Sequence, residues 1–211
     1  MDIIFGKIIE ALEQGNKSEL TALVQEALDN GAKPSDIANY ALAEGMNLVG
    51  ELYREGEIFV PEVLMASAAM EQAMDLLRPY LKENDIKEVG RILFCTVKGD
   101  LHDIGKNLCV MMLENAGYRI IDLGVDIGVT QIVDAVKEQQ PNLVALSSNV
   151  TTRIVTMEQT VEALKENGFD HIPVMVGGAP LSGKYADEIG ANYSEDAVGC
   201  VELANRLLGI N

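Results

Sequence analysis

Tryptophan is absent from the 211 residues, aromatic side chains make up only 5%, and there are two histidines and three cysteines. Basic residues are scarce too: 16 Lys and Arg stand against 33 Asp and Glu, a formal charge of −17. Phosphate backbones and anionic membrane faces reward clustered Lys and Arg, so neither nucleic acid nor a membrane is an expected partner. No apolar run reaches the ~18 residues of a membrane span, and Met1-Asp2-Ile3-Ile4-Phe5-Gly6-Lys7 lacks the basic stretch and apolar core of a secretory signal. A cytoplasmic protein is expected. Cys95, Cys109 and Cys200 form no C-x-x-C pair, suit a reducing compartment and read as core fillers. What the chain has in quantity is apolar residues, 48% of the total. At this length that allows about 70% of the unfolded surface to be buried, in one large or two small domains.

Two periodicities divide it. Through the first 80 residues apolar positions recur every three or four residues with breakers between, which predicts four helices. Ile4, Ile8 and Leu12 line the first. Leu20, Leu23, Val24, Ala27 and Leu28 line the second, with Ser18 as N-cap and Gly31 just past its end. Ser35 caps a third that carries Ile37, Ala41, Leu48, Val49 and Leu52 and fades at Gly56. Pro61 opens a fourth that runs through Met65, Ala69 and Leu76 to Pro79. Short connections favour a four-helix bundle.

After a polar linker, Lys82 to Glu88, short β-rich runs alternate with helical ones. Strands are expected at Arg91–Val97, Tyr118–Leu123, Leu143–Ser147, Pro173–Val176 and Ala191–Tyr193, and helices near 105–116, 130–139, 153–167, 181–189 and 196–208. Five strands, each followed by a helix, predict a flavodoxin- or Rossmann-like parallel sheet with helices on both faces. The fold class is therefore α plus α/β, with a four-helix-bundle domain over residues 1–86 and an α/β domain over 87–211. Ligands in such sheets bind beyond the carboxyl ends of the strands, so function belongs in the loops after them.

The first such loop, Lys98-Gly99-Asp100-Leu101-His102-Asp103-Ile104-Gly105-Lys106-Asn107, holds one of the two histidines. A neutral imidazole is the commonest protein ligand for a transition metal, and a carboxylate on its other nitrogen fixes the tautomer. Asp100 is within reach for that, and Gly105 lets the chain pass close to a bulky group. The plainer alternative is a helix-entry loop with a solvated histidine and an aspartate cap. No zinc-like set of Cys and His is nearby, so a metal on His102 has to bring its other ligands with a cofactor. His171 precedes the fourth strand at its amino end and is assigned no function.

The runs Asp100-Leu101-His102-Asp103-Ile104-Gly105, Leu146-Ser147-Ser148-Asn149-Val150-Thr151-Thr152 and Val176-Gly177-Gly178-Ala179-Pro180 resemble the D-x-H-x-x-G, S-x-L and G-G signature of cobalamin-binding domains. Upstream, Gly50 to Val63 resembles the helical cap module that precedes this domain in methionine synthase and in the corrinoid proteins of anaerobic methyltransferase systems. The resemblance spans nearly the whole chain, in order.

It implies a cobalamin or related corrinoid bound base-off and His-on, with His102 as the axial cobalt ligand and Asp100 as its hydrogen-bond partner. Ser147 is implied as the contact to the buried nucleotide base, and Gly177 and Gly178 as room for the nucleotide tail. Two positions depart from the pattern. Asn149 replaces the leucine of S-x-L, and the hydroxyl that extends the His–Asp relay in methionine synthase falls on Arg153, leaving Thr151 and Thr152 as nearby substitutes, of which Thr151 is carried over. Tyr53 and Val60 fall where the family covers the upper face of cobalt; taken singly, each reads as bundle core. The implied function is that of a methyl carrier and not an enzyme in itself. It would shuttle a methyl group on cobalt between a substrate-specific methyltransferase and a second corrinoid-dependent methyltransferase acting on coenzyme M or tetrahydrofolate, with a reductive activator as a further partner. The donor stays open among methylamines, betaines, methanol and methoxyaromatics, within methanogenic or acetogenic one-carbon metabolism. A cobalamin sensor or a mutase subunit is the alternative.

Overall fold

The structure, a computed structural model, describes residues 2–81 and 88–210. The chain divides into two compact units, Met1–Lys87 with Asn115–Gly117, and Glu88–Glu114 with Tyr118–Asn211. The linker reading and the 86/87 boundary fall largely on residues 82–87, outside the described residues.

The first unit holds the four helical runs. They are α1 (Asp2–Glu13), α2 (Lys17–Asp29), a third run of α3 (Pro34–Asp36), a π turn (Ile37–Leu42) and α4 (Ala43–Glu55), and α5 (Val60–Leu77). The backbone stays right-handed helical at both junctions of the third run, which is therefore unbroken from Pro34 to Glu55. Around the bundle α1 meets α2 and α4, and α5 meets the same two. Ile8, Leu12, Leu20, Val24, Leu42, Val49 and Leu77 fill the centre without exposure. Ala66, Ala69 and Ala73 put small side chains on the buried stripe of α5, which lets neighbours pack close.

The caps correct two expectations. Asn16, not Ser18, caps α2: its side chain accepts from the Glu19 N–H, and the helix starts two residues earlier than a serine cap would allow. Ser35 lies inside α3, because Pro34 takes the first position, where its missing N–H costs nothing. Gly31 and Gly56 end helices with left-handed backbone, as expected. At the start of α5 the Glu62 carboxylate accepts the Phe59 N–H at 3.0 Å. The helix stops at Leu77, short of Pro79, and a single 3-10 turn, Arg78–Tyr80, follows.

The second unit is a five-stranded sheet, all parallel, in the order β2-β1-β3-β4-β5. Its elements are β1 (Gly90–Thr96), α6 (Ile104–Asn115), β2 (Tyr118–Asp122), α7 (Val129–Gln139), β3 (Leu143–Ser147), α8 (Val155–Glu166), β4 (Val174–Gly177), α9 (Gly183–Ile189), β5 (Asn192–Ser194) and α10 (Ala197–Leu208). All five expected strands are present with ends shifted by a residue or so. Leu93, Cys95, Val144, Leu146, Val174 and Val176 form the buried sheet face against Ile132, Val136, Met157, Val161 and Leu164 of the helices. The order in which strands are added to the sheet reverses between β1 and β3, which are parallel neighbours although β2 lies between them in sequence. The crevice beyond the strand ends opens at such a switch point, and the loops after β1 and β3 flank it.

Candidate cofactor site

Asp100 is 1% exposed in the loop after β1 and collects four donors. Its Oδ1 accepts the backbone N–H of His102 at 2.9 Å and the imidazole Nδ1–H at 2.7 Å. Its Oδ2 accepts the Ser148 hydroxyl at 2.9 Å and the Asn149 N–H at 2.6 Å. Burial alone would push this carboxyl up; the bonds from His102, Asn149 and Ser148 outweigh it and hold it well below the usual carboxylate range. An ionised carboxylate only accepts, so Nδ1 carries the proton and the lone pair sits on Nε2. That nitrogen belongs to a side chain 62% exposed. The His102 carbonyl is held as well, by the buried Thr96 hydroxyl at 2.9 Å.

The loop after β2 braces this loop from the side. Asp126, in left-handed backbone at φ 61°, accepts the Gly99 N–H at 2.7 Å and the Lys98 ammonium at 2.9 Å, and its own N–H donates to the Asp100 carbonyl at 3.1 Å. The Gly99 N–H, then Lys98, hold the Asp126 carboxyl below its ordinary value. Arg153 lies over Gly99: a Cβ there would meet the guanidinium at 2.6 Å, and the φ of +82° also favours glycine. Behind the ligand loop, Lys106 is 3% exposed and pairs with Asp122 at the end of β2 and with Asn107.

The loops after β3 and β4 are laced together. Ser147 ends β3 half-buried, in register with Gly177 on one side and Thr96 on the other. The Ser148 N–H donates to the Gly177 carbonyl, and the Asn149 side-chain oxygen accepts the Ala179 N–H at 3.1 Å. A Cβ on Gly178 would stand 1.9 Å from the Ser148 carbonyl oxygen, and one on Gly177 would stand 3.3 Å from that of Ser194. The chain's own packing therefore requires Gly178.

Asp100, His102, Ser147, Gly177 and Gly178 thus converge at the switch point. The hydroxyl that reaches Asp100 comes from Ser148, and not from Thr151 or Thr152, the substitutes the motif comparison offers for it; both lie exposed in the 3-10 turn Thr151–Arg153. The cue for Ser148 was its neighbour: side chains alternate along a strand, so two adjacent serines at a strand end face opposite ways. Tyr53 lies half-buried near the end of α4, and Val60, 38% exposed, opens α5; both belong to the helical unit. His171 is exposed before β4, its ring 6.4 Å from that of Phe169.

The donor set fits a corrinoid. Among the described residues no three His, Cys, Asp or Glu side chains group to hold a metal, so His102 offers one nitrogen to an ion whose remaining ligands come with it. Leu101 and Ile104, 72% and 85% exposed and within two residues of His102 in the sequence, offer apolar surface to a large flat ring. A Cβ on Gly105 would meet nothing within 4 Å, so no neighbour among the described residues accounts for its missing side chain. Also among the described residues, no helix is long and apolar enough to cross a membrane.

Models of the B12 binding domain match residues 4–78 and 90–204. A corrinoid protein of Desulfitobacterium hafniense is 36% identical, with 98% of each chain covered. A trimethylamine corrinoid protein of Methanosarcina barkeri is also 36% identical, over 98% of this chain and 97% of that one. The crystal structure of the methanol:cobalamin methyltransferase complex from Methanosarcina barkeri contains a chain that superposes with a TM-score of 0.88 at 28% identity, covering all of this chain and 81% of that one. Both halves of the sequence, its fold and the donor set at the switch point lead to one conclusion: the chain belongs to the B12-binding corrinoid proteins, and a corrinoid is its cofactor.

Proposed function

We propose that the protein is a methyl carrier that holds its corrinoid base-off and His-on and passes a methyl group from a substrate-specific methyltransferase to a second methyltransferase. The observation that carries this reading is the chain Ser148 hydroxyl, Asp100 carboxylate, His102 imidazole, which leaves Nε2 as the one free ring nitrogen at the switch point. The bound corrinoid supplies a cobalt centre able to accept and release a methyl group; that chemistry belongs to the cofactor.

The residues of this chain hold and tune it. Asp100 fixes the tautomer and raises the basicity of Nε2, and Ser148 and the Asn149 N–H keep Asp100 ionised. Thr96 and Asp126 fix the loop that carries His102. Ser147 lines the crevice for the nucleotide base, and the backbone of Gly177 and Gly178 borders its tail. Tyr53 and Val60, in the helical unit, are the residues the family resemblance would assign to shielding the cofactor. In this reading the protein is a carrier subunit and its partners choose the substrate. The names of relatives, trimethylamine and dimethylamine corrinoid proteins, support a methylamine as donor. A coenzyme M or tetrahydrofolate methyltransferase as acceptor partner, a reductive activator and a cytoplasmic setting complete the reading.

The test is reconstitution with hydroxocobalamin. The intact protein is expected to turn red and to show the visible spectrum of imidazole-ligated cobalamin, and the His102→Ala variant to bind corrinoid but lose that spectrum. An unchanged spectrum in the variant would defeat the ligand assignment. Adding candidate methyltransferases with each methylamine to the reduced protein then identifies the donor.

A further inference from the structure

The peptide between Ser148 and Asn149 touches two parts of the site at once. Its N–H donates to Asp100 Oδ2 at 2.6 Å. Its carbonyl oxygen occupies the space where a Cβ of residue 178 would stand, 1.9 Å from that ideal position. The N–H and C=O of a trans peptide point opposite ways in one rigid plane. The carboxylate behind the ligand imidazole and the glycine turn after β4 therefore lie on opposite sides of a single plate. Rotation of that plate moves both.

What holds the plate is Asn149. Its side-chain oxygen reaches across to accept the Ala179 N–H, the first amide after the two glycines. Ser148 adds a parallel tie through its own N–H to the Gly177 carbonyl. The leucine of the S-x-L pattern offers no acceptor, so the tie to Ala179 is particular to a polar residue here.

We propose that Asn149 is a positioning residue that couples the axial ligand to the nucleotide crevice. By anchoring the Ser148–Asn149 peptide to Ala179, it sets the tilt of Asp100 and His102 and the position of the Gly177-Gly178 turn together. A corrinoid with its nucleotide tail in the crevice presses on the turn and thereby favours the seated imidazole. A corrinoid without the tail gains nothing from the coupling. The inference rests on the cofactor reading above and names a residue that specifies the complete cofactor over its truncated form.

The experiment compares hydroxocobalamin with cobinamide, which lacks the nucleotide, on the full chain and on Asn149→Leu and Asn149→Asp. The intact protein prefers the complete corrinoid. Asn149→Leu is expected to lose about fivefold of that preference, the worth of one ordinary hydrogen bond. Asn149→Asp keeps an oxygen acceptor and retains most of the preference. In the cofactor-free chain, exchange of the Ala179 amide speeds up about fivefold in the leucine variant and not in the aspartate one, a readout that needs no corrinoid.

An unchanged preference in Asn149→Leu overturns the inference alone, and so does an equal loss for both corrinoids. If the leucine variant fails to fold, the aspartate variant decides: loss of preference there, in a folded protein, overturns it. An intact chain that binds neither corrinoid overturns the cofactor reading and this inference with it.

Discussion

Ser148→Ala removes one oxygen from the interior of the α/β unit. Ser148 has no exposed surface, and its hydroxyl donates to Asp100 Oδ2 at 2.9 Å while accepting the Val150 N–H at 3.3 Å. After the change Asp100 keeps the two bonds from His102 and the one from Asn149. The lost bond went to a charged acceptor, worth about 1.5–3 kcal/mol, and the space left by one oxygen is too small for water to take its place. A cost near 2 kcal/mol is expected. It should appear as about 30-fold faster exchange of the β1 amides that open only when the whole unit unfolds. The pH dependence supplies a second check. The Asp100 carboxyl is depressed in the fold, so its contribution is full above its unfolded value of about 3.9 and is lost as pH falls through the folded one. The gap between wild type and variant should thus be widest at neutral pH and close in acid. A gap under about 0.5 kcal/mol at neutral pH, or one that ignores pH, would refute the claim that Ser148 supports a charged carboxylate.

Three further outcomes are expected. Lys106→Met strands the Asp122 carboxylate, which is one-third exposed and can partly rehydrate, so the loss should be about 1–3 kcal/mol, below that of a fully buried pair; adding Asp122→Asn should recover part of it in urea unfolding. Asp126→Asn keeps the left-handed backbone and the acceptor for Gly99 but drops the charge. Because the Asp126 carboxyl is depressed, the melting-temperature difference from wild type should be present above about pH 4, vanish in acid and shrink in high salt. Of the cysteines, Cys109 should react first with iodoacetamide at pH 8, because it is partly exposed while Cys95 and Cys200 are buried, and burial pushes the Cys95 thiol up to about 12. Mass spectrometry of labelled peptides checks the order, and equal labelling of all three would contradict it.

The sheet was legible because its strands are nearly continuous apolar runs such as Ile92-Leu93-Phe94, the mark of strands covered on both faces. The ligand pair was legible because Asp100 and His102 are two residues apart, close enough for one loop to join them. The helix caps were less so, since Asn16 and Pro34 sit within two residues of the serines expected in their place and local preference does not choose between them. Ser148 and Asp126 were hidden for a deeper reason. Ser148 meets Asp100 from 48 residues away and Asp126 meets Gly99 from 27, and only the order β2-β1-β3 brings those loops together. Asn149 departs from the S-x-L pattern. In the fold it is a tie between two loops.

The central claim is a bond between a protein imidazole and cobalt. Protein made with 15N-histidine, reconstituted with hydroxocobalamin and reduced to paramagnetic cobalt(II), tests it by electron paramagnetic resonance. The account predicts that the nitrogen superhyperfine pattern changes from the triplets of 14N to the doublets of 15N, and that the change disappears in His102→Ala. Triplets that persist in the labelled protein would mean that the cofactor's own base still holds the cobalt, and the account would be wrong.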